Sequence, residues 1–204
     1  MPTASSRKGP GRPRDPDVEA RTLGAAREVY RDKGWSGFTL DEVARRAGVG
    51  KSALYRRWPG KAALIIDAVR TQAPPIAAID TGSLHDDLVA FATQWCRFVL
   101  SDDGAILARV SIEQRIYPEI DAAAKSAPVP GYIADTLAIA RRGIERGELP
   151  PHTSADLIGS LVAGAMANHA RTTPPDRLDE TNIADFAETV VAVVLTGIRE
   201  LPAR

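Results

Sequence analysis

Cysteine is nearly absent from this chain of 204 residues. The single thiol, Cys96, cannot close an intrachain disulfide, which fits a reducing cytoplasm. It lies in an apolar helical pattern with no basic neighbour, so it reads as a small buried hydrophobe rather than a nucleophile. The three histidines, His85, His152 and His169, stand far apart without metal-ligand spacing. No G-x-S-x-G, phosphate loop or zinc spacing occurs, so the expectation is no enzyme, no cofactor and no metal. There is no run of about 18 apolar residues, so no membrane span is expected. The N-terminus is rich in proline and arginine, unlike a secretory signal. Sustained two-residue alternation is missing as well, so no strands are expected and the chain reads as all-α.

Net charge is also absent, but only in sum. Residues 1–62 carry 14 Lys and Arg against 7 Asp and Glu, which leaves 12 basic and 19 acidic residues for the remainder. A basic first third joined to an acidic body points to a polyanion met only by the N-terminal part. Residues 1–16 read as a flexible basic arm. Its Gly11-Arg12-Pro13-Arg14 suits a narrow minor groove, or is an ordinary tail.

Helical spacing of apolar residues marks elements at 17–33, 60–72, 84–101, 104–116, 131–147, 153–171 and 180–200. Pro118 opens a short segment that Pro128-Val129-Pro130 ends. Two further helices lie in the stretch 39–61, TLDEVARRAGVGKSALYRRWPGK, the most informative in the chain. Thr39 and Glu42 have capping-box spacing, and Leu40, Val43, Ala44 and Ala47 share a face. Gly48 can stop that helix in a left-handed turn. A second short helix then turns Leu54 and Trp58 inward and leaves Lys51, Ser52, Tyr55, Arg56 and Arg57 outside. Pro59-Gly60 breaks it, and Lys61 sits in the next first turn, where a cation makes sense beside an anion. The pattern is a helix-turn-helix with a recognition helix. Thr39, Tyr55 and Lys61 form a phosphate-positioning set, and Lys51, Ser52 and Arg56 a base-reading set. Arg57 serves either role or pairs with an acidic neighbour.

The residues Thr39 to Ala44, Ala47-Gly48-Val49, Leu54-Tyr55 and Trp58 to Lys61 resemble the DNA-binding signature of the tetracycline-repressor-like (TetR) family of bacterial transcription regulators. Gly50 stands where a serine is common there, and Ala53 where a threonine is common. The first removes a phosphate-contacting hydroxyl, and the second alters base preference. The resemblance implies a homeodomain-like three-helix head at 17–77, a ligand-binding and dimerisation body at 78–204, and about nine helices in all. It implies a cytoplasmic, nucleoid-associated homodimer that binds double-stranded DNA. Repression of a palindromic operator, relieved by an unknown small-molecule effector, is the family's common outcome. An activator, or a ligand-independent or architectural DNA-binding protein, is the alternative.

The family packs its last two helices across the dimer axis. Gly159, Ala163, Gly164, Ala167, Phe186, Val190 and Val194 are the interface candidates, or else intrachain packing. Phe91, Trp95, Phe98, Arg109, Glu113, Tyr117, Tyr132, Met166 and His169 are candidates for an effector pocket, or else core. Arg109 and Glu113 stand four apart and can pair with each other.

Overall fold

The computed structural model describes residues 16–71, 79–128 and 130–202. The basic arm up to residue 15 and the expected boundary between residues 77 and 78 lie outside them. Among the described residues ten α-helices follow in order: α1 Pro16–Gly37, α2 Leu40–Ala47, α3 Lys51–Arg57, α4 Lys61–Arg70, α5 Leu84–Leu100, α6 Asp102–Glu113, α7 Pro118–Ser126, α8 Gly131–Glu145, α9 Ala155–Thr172 and α10 Glu180–Arg199. No strand occurs among the described residues. The tenth helix is α7, where the sequence expects only a short segment. Pro118 occupies its first turn, where a missing N–H costs nothing.

Caps set the boundaries. Thr39 Oγ1 accepts from Glu42 N at 3.2 Å, and Ser83, Ser154 and Asp179 cap α5, α9 and α10 in the same way. The capping box at α2 is only half formed. Glu42 turns instead to Lys33 and Arg45, and these two cations draw its carboxyl down to a pKa of about 2. Gly48 ends α2 at φ 66°, the left-handed conformation that favours glycine.

Two cores result. The first gathers Tyr30, Phe38, Leu54, Trp58, Leu64 and Ile65 from α1 to α4. Helices α6 and α7, grouped with the body by the sequence, send Ile106, Val110 and Ile120 into it. The second joins Leu84, Leu88 and Phe91 of α5 to Ile139 of α8, Ile158 and Met166 of α9, and Val191 and Leu195 of α10. Each such aliphatic or aromatic side chain removed from water contributes roughly 1.5–3 kcal/mol.

One carboxylate is fully enclosed in the body. Asp87 accepts from Thr81 N at 2.6 Å and Thr81 Oγ1 at 2.8 Å, with Arg142 and Arg146 at 3.7 and 3.6 Å from its other oxygen. Arg142 also donates to the Ile79 carbonyl at 2.5 Å, and Glu148 accepts from Leu84 N at 2.8 Å. This knot fixes the entry of the chain into α5.

Helix α10 departs from the sequence expectation on membranes, since by length and composition alone it could cross one. Its apolarity is divided between two faces. Ile183, Ala187, Val191, Leu195 and Ile198 are buried, while Ala192 and Val193 face outward, Val193 at 67% exposure.

Candidate DNA-binding face and effector cavity

Helix α3 owes its orientation to two anchors. Leu54 and Trp58 are buried at 1% and 5% exposure, and the Trp58 indole donates to Asp67 of α4 at 3.0 Å. The opposite side of a helix this short is then forced outward. Lys51, Ser52, Tyr55, Arg56 and Arg57 are exposed, with Ala53 half-buried between them. Gly50 is the N-cap of α3 and supplies no side-chain hydrogen bond, although its carbonyl accepts from the Ala53 amide at 2.9 Å.

The cations of this face differ in how far they are already engaged. Lys51 holds Asp41 at 2.6 Å, which keeps its ammonium above the ordinary lysine range. Arg57 pairs with Glu19 and lies 5.1 Å from the Trp58 ring centre. Lys61 donates to the Trp35 carbonyl at 2.8 Å and sits 4.0 Å from that ring's centre. A partner on the protein therefore already answers the cation in the first turn of α4. Arg56 makes no hydrogen bond or ion pair among the described residues, and its guanidinium is open to solvent. Thr39 is exposed at the same end of the head, with its hydroxyl oxygen used as a cap.

Arg109 and Glu113 do not line the cavity between α5, α8 and α9. They reach from α6 to α1, where the Tyr30 hydroxyl donates to Glu113 and Arg109 binds Glu113 at 3.1 Å. Burial first, and then the Glu113 carboxylate, push the Tyr30 hydroxyl well above its usual pKa. Tyr117 is likewise at this junction, with its ring 5.9 Å from Trp35, whose indole donates to Glu119 at 3.2 Å. Arg27 and Arg31 add ion pairs to Asp103 and Asp102 at 3.0 and 2.8 Å. Together these contacts clasp the head to α6 and α7.

Gly34 makes the clasp possible. It breaks α1 at φ 61°, and a Cβ there would overlap the Arg109 guanidinium. Gly34→Ala should lower stability by about 2 kcal/mol, one part left-handed strain and one part displaced arginine. For a chain of this size the melting temperature should fall by roughly 4–8 °C. An unchanged melting curve would mean that α1 relaxes freely at this point.

A cavity of ≈ 200 Å³ opens between α5, α8 and α9. Phe91, Trp95 and Tyr132 form its aromatic wall, with Trp95 stacked 5.3 Å from Tyr132. Ile133, Leu137 and Ala163 complete the apolar lining. Thr136, Asp156, Gly159 and Ser160 were not foreseen, although 156, 160 and 163 share one stripe of α9. Phe98 stands behind Trp95 at 5.4 Å, and Met166 is fully buried in the second core. His169 bonds Asn182 at 2.8 Å and Thr173 at 3.1 Å and stacks on Phe186 at 3.8 Å, so its polar atoms are satisfied within the body. The Trp95 indole nitrogen and Gln94 Oε1 are enclosed without a protein partner.

The proposed interface set divides as well. Gly159 and Ala163 line the cavity, and a Cβ on Gly159 would come 3.0 Å from Thr136. Phe186, Val190 and Val194 are half-buried against the second core, as is Ala163, and Ala167 is half-buried. Small residues serve both an inward and an outward approach, and composition alone does not tell them apart. The outward stripe is Leu157, Leu161, Gly164 and Asn168 on α9, beside Ala192, Val193 and Thr196 on α10.

Comparison with known proteins agrees with this architecture. Residues 23–68 match the model of "Bacterial regulatory proteins, tetR family", and residues 78–190 match "Tetracyclin repressor-like, C-terminal domain". The HTH-type transcriptional regulator AqdR of Rhodococcus erythropolis is 34% identical over 148 residues, 72% of this chain and 70% of that protein. The DNA-binding transcriptional repressor TetR of Mycobacteroides abscessus is 28% identical over 189 residues, 86% and 93% of the two chains. Among solved structures, GusR of Salmonella enterica superposes with a TM-score of 0.66 at 17% identity, covering 90% of this chain and 96% of that one. At that identity the likeness speaks for the fold alone.

Proposed function

This chain belongs to the tetR family of bacterial regulatory proteins and is a DNA-binding transcription regulator, and from that premise we propose that it is an effector-released repressor. Regulators of this family are not enzymes. Two heads of a homodimer bind a palindromic operator, with half-sites about one helical turn or somewhat more apart. The observation that carries this reading is α3 itself. It is a short helix pinned by Leu54 and Trp58, with Arg56 uncommitted at its exposed face. Arg56 reads a guanine edge through a bidentate pair. Lys51 and Ser52 contact neighbouring bases, Lys51 after giving up Asp41. Tyr55, Thr39 and Lys61 hold the backbone, and Arg12 and Arg14 of the arm follow the adjacent minor groove. Leu157, Leu161 and Val193 meet their symmetry mates across the dimer axis. A bound dimer blocks polymerase, which makes repression the simplest outcome.

Release begins in the cavity. A ligand against Trp95 presses Phe98, one turn before the α5–α6 corner. That corner is tight: Ser101 ends α5 and caps α6, and a Cβ on Gly104 would overlap the Phe98 carbonyl oxygen. A shift of α5 therefore carries α6, and α6 carries the head through Tyr30, Glu113 and Arg109. The ligand favours one head spacing and the operator the other.

Selection of bound sequences from a random DNA pool tests this, followed by titration of the enriched sequence. A palindrome should emerge, and Arg56→Ala should weaken it by about 1–3 kcal/mol, roughly 5- to 150-fold, with lost preference at one base. No enrichment, with equal binding by both proteins and a steep salt dependence, would leave the architectural reading.

A further inference from the structure

The cavity has an electrostatic direction, and it names the kind of effector it accepts. This step rests on the reading of the cavity as the effector site. Its walls are aromatic and aliphatic, and the one ionisable group in its lining that is charged at neutral pH is Asp156. Asp156 lies in the first turn of α9, exposed at the cavity, and makes no hydrogen bond or ion pair among the described residues. Elsewhere in the body, Asp87 is engaged by Thr81, Arg142 and Arg146, and Glu180 by Arg97.

The hairpin geometry separates the aromatic wall at Tyr132 from Asp156. Helices α8 and α9 run antiparallel through a short connection and meet where Thr136 packs on Gly159. Tyr132 lies four residues to one side of that crossing and Asp156 three to the other. At 1.5 Å per residue the two ends stand about 10 Å apart along the helices. Asp156 makes its end of the cavity hostile to an anion.

We propose that the cavity binds a hydrophobic amine, its ammonium group at Asp156 and its apolar body, best an aromatic ring, against Trp95 and Tyr132. The ring stacks on the indole already held by Tyr132 and Phe98. The ammonium gains the Asp156 carboxylate and, at closer range, the faces of the aromatic wall. Ser160, one turn after Asp156, accepts a hydrogen bond from the same head group.

Phenylbutylammonium, phenylbutanol and phenylbutanoate share one body and differ only in the head. Calorimetric titration of the full-length protein with each separates charge from hydrophobicity. The amine should bind about tenfold tighter than the alcohol, with the carboxylate weakest. Asp156→Asn should bring the amine and the alcohol to within about twofold, and added salt should narrow the wild-type gap, because Asp156 is exposed. If the three bind wild-type protein equally, or the carboxylate binds best, the amine proposal falls while the cavity stands as an effector site. If none binds, both fall.

Discussion

Leu161→Asp combined with Val193→Asp is expected to yield a folded single chain that has lost tight operator binding. Both residues lie on the outward stripe, Leu161 44% and Val193 67% exposed, so neither substitution opens a cavity in the chain's own core. Each places a carboxylate where two copies would bury apolar surface, and burying unpaired charge costs several kcal/mol per ion. One head alone must then hold DNA without the millimolar effective concentration that a linked second head provides. The affinity lost should be about 10²- to 10⁴-fold. Sedimentation would report the single chain, and far-ultraviolet dichroism would report the retained helices. A variant that still sediments as a pair and still binds the operator would place the interface elsewhere, with the exposed Ile112 of α6 and Ile116 just after it the next surface to test.

Asp87→Ala should cost the body about 3 kcal/mol, most of it from what is left behind. Thr81 loses the acceptor for two donors, and Arg142 and Arg146 lose a fully enclosed counter-charge. The arginine side chains keep 27% and 29% exposure and other acidic neighbours, which holds the figure below that of a wholly buried pair. The same group gives the wild-type protein an acid limit. Burial works to raise the Asp87 pKa, but the Thr81 hydrogen bonds and the two arginines outweigh it and leave the folded-state value below the ordinary one. Stability from a depressed carboxylate is fully present above its unfolded value of about 3.9 and drains as pH falls through the folded value. Wild-type protein should therefore lose stability steeply below about pH 4, while Asp87→Ala starts lower and falls less. Parallel denaturant titrations at pH 7 and pH 3.5 would decide. Parallel losses in the two proteins would show that other carboxylates govern the acid limit.

The head was legible because its determinants are local. A threonine before an apolar stripe, a glycine at φ 66° and a Pro-Gly break lie within 23 consecutive residues, and each acts on its neighbours. Even there, Glu42 left the capping box for Lys33, a competition settled by where α1 runs past α2. The body was legible as helices but not as surfaces. Arg109 and Glu113 carry the right spacing to pair, and they do; that they also hold Tyr30, 83 residues from Glu113, has no trace in the local pattern. Gly159 and Leu161 sit two residues apart on one helix, the first beneath Thr136 and the second facing outward. Residue type alone does not assign those faces. Pairing α8 with α9 back from Gly147 would have brought Thr136, Asp156 and Ser160 together.

The last helix of the chain bears on how the protein is made. The head core can close once α7 and Ala127 have left the ribosome, because its described members all lie at or before that point. The body core waits for Leu195 and Ile198, which follow Ile120 by more than 70 residues. Domains fold in the order they emerge, at roughly 5–20 residues per second. A folded head is thus displayed for seconds on a body whose α5, α8 and α9 still lack their α10 partner. When α10 arrives it covers the inner apolar surface with one face and offers Val193 on the other.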